Sequence, residues 1–102
     1  MQRALLIDYD PNSFWRFKNF FKNENILFDL ANNSFDIQFL SSNIVYNLII
    51  ISVNSNFTEN LDIAKKLSIE TSSIIVTTAN TINNNNLSEL INNGITFIRS
   101  SF

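Results

Sequence analysis

The chain contains no cysteine and no histidine among its 102 residues. Without cysteine it has no disulfide framework, no thiolate nucleophile and no zinc knuckle. Without histidine it lacks the commonest general base and the commonest metal ligand of proteins. Its single glycine, Gly94, excludes a glycine-rich loop that cradles a phosphate. We therefore expect neither an enzyme nor a resident cofactor.

Long apolar runs are also missing. No stretch reaches the ~18 residues that a membrane span requires, and the N-terminus shows no signal-peptide pattern. A net charge of -2 gives no electrostatic basis for binding nucleic acid or an anionic membrane surface. We therefore expect a cytoplasmic protein that contacts neither nucleic acid nor membrane directly.

What the chain does contain is a 45% hydrophobic composition, arranged as short apolar runs between amphipathic segments. The length predicts a single domain that comprises residues 1–102. Strict alternation of strands and helices predicts an α/β protein whose parallel sheet is covered on both faces through right-handed crossovers. The apolar runs predict five strands, over residues 3–8, 26–31, 47–53, 73–78 and 96–99.

Four helices are predicted between these strands. Asp10 is the expected N-cap of the first helix, with Pro11 at its first helical position. Polar loops are expected over residues 54–59 and 80–86, and Gly94 is expected to end the last helix with a positive φ. The apolar residues that mark the four helices are Phe14, Phe17, Phe20 and Phe21; Phe35, Phe39 and Leu40; Leu61, Ala64 and Leu67; and Leu87, Leu90 and Ile91.

The most informative stretch is Ala-Leu-Leu-Ile-Asp-Tyr-Asp-Pro, residues 4–11. Open α/β sheets build their sites where a buried strand ends in polar residues and turns into a helix. A carboxylate at the end of a buried strand is costly to bury without a partner, which makes Asp8 a candidate functional residue.

With these elements placed, the chain resembles the receiver domain of two-component response regulators over essentially all 102 residues. The resemblance implies a flavodoxin-like three-layer sandwich with a five-stranded parallel sheet in the order 2-1-3-4-5. We expect the helix that follows the last strand in such domains to be missing, because the sequence stops where that helix would begin. The segments that carry the resemblance are residues 5–11, 46–52, 74–79 and 94–102.

The resemblance also assigns the family's phosphorylation-site positions. In such a site a carboxylate attacks phosphorus, a divalent cation neutralises charge, and a hydroxyl and a lysine bind the phosphoryl oxygens. Ser52 occupies the position of the nucleophilic aspartate, Tyr9 that of the main metal-binding carboxylate, and Ser100 that of the lysine. These departures predict a degenerate site with no catalytic residue. The positions carried over are Asp8, Tyr9, Ser52, Thr78 and Ser100.

Other features of the family pattern survive. Thr78 stands at the position that senses the phosphoryl group, and Phe97 at the aromatic switch position, although each is also an ordinary structural residue for its strand. No metal site is predicted, and Asp8 and Asp10 remain only weak candidates. We expect Asn54 to offer a metal nothing but its backbone carbonyl, so that its side chain matters little.

Two more departures lie near these positions. Asn56 and Asn60 replace the proline and the glycine of the loop after the phosphoacceptor strand, and Asn60 could adopt a left-handed conformation. Arg99 adjoins Ser100, but alternation along the strand places it on the opposite face.

Two functional hypotheses remain open. The first is an atypical receiver that signals by protein–protein contact without aspartyl phosphorylation, as the N-terminal module of a transcription regulator. Without its final helix such a domain leaves part of one sheet face exposed, which favours a protein partner or a homodimer, unless the chain is a fragment of a longer regulator. The alternative is a small-ligand-binding domain that uses the crevice at the strand C-termini. A hydrolase built on Ser52 ranks below both, since no base is available.

Overall fold

The computed structural model describes residues 2–10, 12–54 and 56–100. Pro11, the side chain of Phe20, and residues 101–102 of the last resembling segment lie outside the described part. Five strands and four helices alternate within it. In chain order they are β1 (Gln2–Ile7), α1 (Asn12–Phe20), β2 (Ile26–Ala31), α2 (Ser34–Asn43), β3 (Leu48–Ser52), α3 (Phe57–Glu70), β4 (Ile74–Ala79), α4 (Asn84–Asn92) and β5 (Thr96–Arg99).

The strands form one parallel sheet in the order β2-β1-β3-β4-β5, which confirms the predicted flavodoxin-like fold. In the centre of the sheet Leu6 pairs with Ile50, and at its C-terminal end Ser52 pairs with Thr78. Because parallel strands need crossover connections, the helices cover the two faces of the sheet. None of the helices in the described ranges is long and apolar enough to cross a bilayer.

The core is divided between the two faces because side chains alternate along each strand. On one face α1 places Phe17 against Leu6 and Ile50, with the rings of Phe14, Phe21 and Phe28 around them. The opposite face carries the larger cluster, which comprises Leu5, Ile7, Ala31, Ile37, Tyr46, Ile49, Ile51, Ala64 and Leu67. The buried β3 strand therefore contributes to both layers, as its continuous apolar run predicts.

Helices α3 and α4 begin earlier than the predicted loops allow. The first turn of α3 includes Phe57, and the asparagine run enters α4, with Asn83 as an N-cap whose side chain accepts from the Asn86 N–H at 2.8 Å. Asparagine is among the best N-cap residues, so a polar run can start a helix as readily as it can form a loop. The left-handed residue before α3 is Asn56, with φ 50°, whereas Asn60 lies buried within the helix.

Two of the apolar residues that mark α2 in the sequence do not lie on its buried face. Phe35 and Phe39 are 76% and 54% exposed and stack on each other at 6.0 Å, while Ile37 is buried. At about 100° per residue the two phenylalanines share a face that lies opposite Ile37. On α4 Ile91 is also exposed, whereas Leu90 is buried. Gly94 has the predicted positive φ, at 69°.

Part of the sheet face that α1 covers remains open towards β4 and β5. Ile74 is 67% exposed and Ile98 is 56% exposed. Their pairing with Leu48 and Thr78 places both on the face that carries Ile50. The partial exposure expected for this sheet face is therefore observed.

A hydrogen-bonded network lies beside the larger cluster, near the N-terminal end of the sheet. The Tyr46 hydroxyl donates to Asp29 Oδ2 at 2.8 Å, and Arg3 Nε pairs with the same oxygen at 2.9 Å. The Arg3 guanidinium lies 6.0 Å from the centre of the Tyr46 ring. Burial, and then the hydrogen bond to Asp29, raise the pKa of the Tyr46 phenol above its usual value.

This raised pKa predicts a loss of stability in alkali. A group that holds its proton more tightly in the folded state destabilises the fold as the pH rises beyond its unfolded pKa, about 10 for tyrosine. We expect the free energy of unfolding to fall above about pH 10, as measured by urea denaturation. Tyr46→Phe should remove most of that fall, and the matched Tyr9→Phe, at the more exposed tyrosine, should remove less. If the free energy of unfolding fell equally with pH in Tyr46→Phe and in the natural chain, this assignment would be contradicted.

Candidate functional site at the C-terminal edge of the sheet

Four predicted site positions meet at the C-terminal edge of the sheet. Asp8 follows β1, Ser52 ends β3, Thr78 lies near the end of β4, and Ser100 follows β5. They line a cavity of about 20 Å³. Its other lining residues within the described ranges are Ser13, Arg16, Phe17, Asn54 and Asn80.

Backbone hydrogen bonds fix this edge. The Val53 N–H donates to the Thr78 carbonyl at 2.8 Å, and the Ser100 N–H donates to the Ala79 carbonyl at 2.9 Å. The Asp8 N–H donates to the carbonyl of Ala31 at 3.1 Å. The parallel ladder thus extends one residue past several strands, which holds the polar positions side by side.

The cavity is lined mainly by neutral hydroxyl groups. Ser13, Ser52 and Thr78 are 9%, 6% and 6% exposed. The hydroxyl of Ser52 receives only a long contact of 3.4 Å from Asn54 Nδ2. About 10–15 Å³ is enough for one water molecule, so the cavity has room for a single water-sized species.

Asp8 is the only carboxylate that lines this cavity among the described residues. Its Oδ1 accepts a hydrogen bond from the Asp10 N–H at 2.9 Å. No group of three or more histidine, cysteine, aspartate or glutamate side chains that could hold a metal ion occurs in the described ranges. The carboxylate-rich ligand set that Mg²⁺ prefers is not assembled here.

Tyr9 turns away from the cavity. Its hydroxyl donates to Glu59 Oε1 on α3 at 3.1 Å, so the phenol ties the loop after β1 to α3. Partial burial, and then the hydrogen bond to Glu59, raise the pKa of the phenol. The crevice predicted from the sequence therefore does not include the Tyr9 side chain.

Asp10 also lies outside the cavity lining. Its Oδ1 accepts from the Asn12 N–H at 3.0 Å at the start of α1, and its Oδ2 lies 3.5 Å from Arg16 Nη2. This is the geometry of a helix N-cap and agrees with the structural interpretation of Asp10 rather than with a metal ligand.

Phe97 is separated from the cavity by the sheet. It pairs with Thr77 and so lies on the face opposite Thr78, where it is partly buried. Thr77 is fully buried and its hydroxyl donates to the Thr96 carbonyl at 2.8 Å. The switch role expected for Phe97 stays a prediction.

Sequence reasoning missed five of the lining residues, which are Ser13, Arg16, Phe17, Asn54 and Asn80. The guanidinium in the cavity comes from Arg16 on α1, whereas Arg99, the neighbour of Ser100, is exposed and does not line it. The expectation that the Asn54 side chain is unimportant is wrong, because its Oδ1 accepts from the Asn80 N–H at 2.9 Å and joins two loops. The contact between these two loops could have been expected from the sequence, since loops that follow neighbouring parallel strands meet at one edge of the sheet.

Solved structures share this architecture. A response regulator from Thermotoga maritima has a TM-score of 0.87 at 13% identity, and the match covers 100% of this chain and 87% of that one. A two-component response regulator from Clostridium difficile gives 0.85 at 20% identity, over 100% and 85% of the two chains. A protein described as an adenylate cyclase, from Rhodopirellula baltica, gives 0.77 at 15% identity, over 98% and 76%.

The chain therefore has the fold of response-regulator receiver domains, which confirms the resemblance at the level of architecture. No family model matches the sequence, and no curated protein matches it significantly. The degeneracy of the site stays a prediction from its residues.

Proposed function

We propose that this chain is a non-enzymatic, cytoplasmic receiver-like domain that signals through protein–protein contact without aspartyl phosphorylation. The observation that carries the proposal is Ser52, which ends β3 at the phosphoacceptor position with 6% exposure and lines a cavity of about 20 Å³. The receiver architecture is retained around a position that has no carboxylate to phosphorylate.

The chemistry of the site supports this reading. An acyl phosphate forms only on a carboxylate, and Ser52 supplies an alcohol that has no histidine to activate it. Tyr9, at the metal-binding position, is hydrogen-bonded to Glu59 instead. Ser100 supplies a hydroxyl where a lysine ammonium would neutralise phosphoryl charge.

The surface supports a role in contact with other proteins. Ile74 and Ile98 expose apolar side chains on one sheet face, and Trp15 is 62% exposed on α1. Exposed apolar patches of this kind often mark interaction sites. We propose a protein partner or a homodimer as their occupant, and regulation of transcription as the output.

The experiment is incubation of the chain with Mg²⁺ and a small phosphodonor, followed by intact mass spectrometry. We expect no covalent phosphoryl group under conditions that phosphorylate a receiver domain with an intact aspartate, used as the positive control. A phosphorylated species on this chain would refute the proposal.

The alternative of a small-ligand domain receives no support from this edge of the sheet. A site for a drug-sized molecule has a volume of about 300–1,000 Å³. The cavity of about 20 Å³ is far below that range, so a nucleotide does not fit into it.

A further inference from the structure

A second cleft lies at the opposite, N-terminal edge of the sheet. Its volume is about 230 Å³, and it is lined by residues 44–46 of the loop between α2 and β3 and by residues 71–73 of the loop between α3 and β4. The buried side chains of Tyr46 and Ile49 also line it. The cleft is about ten times larger than the cavity beside Ser52.

Two helices end at this cleft. Helix α2 ends at Asn43 and α3 ends at Glu70, and both residues line it. Within the described ranges, the backbone carbonyls of residues 41–43 and 68–70 accept no hydrogen bond from another residue. The last carbonyls of a helix carry partial negative charge, and they are ordinarily satisfied by a cap, by water or by a ligand.

These helix ends lack a basic side chain of their own. Neither α2 nor α3 has a basic residue in its last turn. Glu70 adds a full negative charge, and no lysine or arginine lines the cleft in the described part. The guanidinium of Arg3 lies over the Tyr46 ring, but its charge is already paired with Asp29 at 2.9 Å. The cleft therefore combines backbone acceptors and a carboxylate, with no cationic side chain among its described lining residues.

We propose that this cleft binds an ammonium or guanidinium group, supplied by a lysine or arginine side chain of a partner protein. Such a group brings three or five N–H donors, which match the free carbonyls and the Glu70 carboxylate. A volume of about 230 Å³ lies below the range of drug-sized sites and suits one long side chain. The proposal does not depend on whether the site at the opposite edge is silent.

The test is a titration of the amide NMR spectrum with blocked lysine and blocked arginine amino acids, alongside neutral Nε-acetyl-lysine and the free amine n-butylamine. We expect saturable shifts at residues 41–46 and 70–73 with the two cationic amino acids, and weaker binding of n-butylamine because it lacks the peptide groups. Equal binding of n-butylamine would overturn the assignment to a protein side chain. Equal shifts with Nε-acetyl-lysine, or no saturable shift at these residues, would overturn the cation site itself.

A matched pair of variants tests the role of the carboxylate. Glu70→Gln should weaken the binding of blocked lysine about tenfold, because a charge-assisted hydrogen bond becomes a neutral one. Glu89→Gln makes the same change at an exposed position on α4, and it should leave the affinity unchanged. An equal effect of the two variants would refute the assignment of Glu70.

Discussion

Ile49→Ala is expected to lower the free energy of unfolding by about 2–5 kcal/mol, which is a large fraction of the stability of a small domain. Ile49 is 0% exposed in the central strand β3, between Leu5 of β1 and Ile75 of β4. Truncation removes buried methyl and methylene groups and leaves a cavity that close-packed neighbours fill only in part. Urea denaturation monitored by circular dichroism measures the loss.

The matched control is Ile74→Ala on the adjacent strand. Ile74 is 67% exposed, so little apolar surface leaves water there on folding. Its truncation should cost less than about 1 kcal/mol, chiefly from the lower strand propensity of alanine. Similar losses in the two variants would show that Ile74 is buried in solution, for example by a second copy of the chain.

Ser52→Asp is the second substitution with a large expected effect. It restores the carboxylate that the family pattern places there, and we expect it to lower the free energy of unfolding at neutral pH by roughly 2–4 kcal/mol. The position is 6% exposed and shares a small cavity with the Asp8 carboxylate. Arg16, which is already paired with Asp10, offsets only part of the desolvation cost.

The pH dependence of the stability distinguishes an electrostatic cause of this loss from a steric one. Burial and the neighbouring Asp8 should raise the pKa of the introduced carboxyl, so the stability lost by Ser52→Asp is recovered as the pH falls towards about 4. The matched Ser88→Asp adds the same charge at an exposed position on α4 and should cost less than about 0.5 kcal/mol. A loss in Ser52→Asp that stays constant on acidification would contradict the electrostatic explanation.

The strands could be predicted from the sequence because their signal is local. Runs such as residues 47–53 are apolar on both faces, and the structure places β3 at Leu48–Ser52, between β1 and β4. The end of the last helix was also predictable, since Gly94 is the only glycine and has the φ of 69° that favours this residue. Strand order followed from the resemblance and is confirmed by the sheet.

The buried faces of the helices and the lining of the site were harder to predict from the sequence than the strands. Phe35 and Phe39 are as apolar as core residues, so only the packing of Ile37 reveals which face of α2 is buried. Arg16 lies on a helix and Ser100 after a strand, and their approach depends on the tertiary arrangement. The direction of Tyr9 is likewise decided by its hydrogen bond to Glu59, fifty residues away in the chain.

The most direct measurement of the central claim is an amide NMR titration of the chain with Mg²⁺, followed by Mg²⁺ with beryllium fluoride as a phosphoryl mimic. The account predicts that the amides of Asp8, Ser52, Thr78 and Phe97 do not move, because Ser52 offers no carboxylate and Tyr9 is bonded to Glu59. Saturable shifts clustered at these residues would show that the site still binds and switches, and they would contradict a phosphorylation-independent receiver.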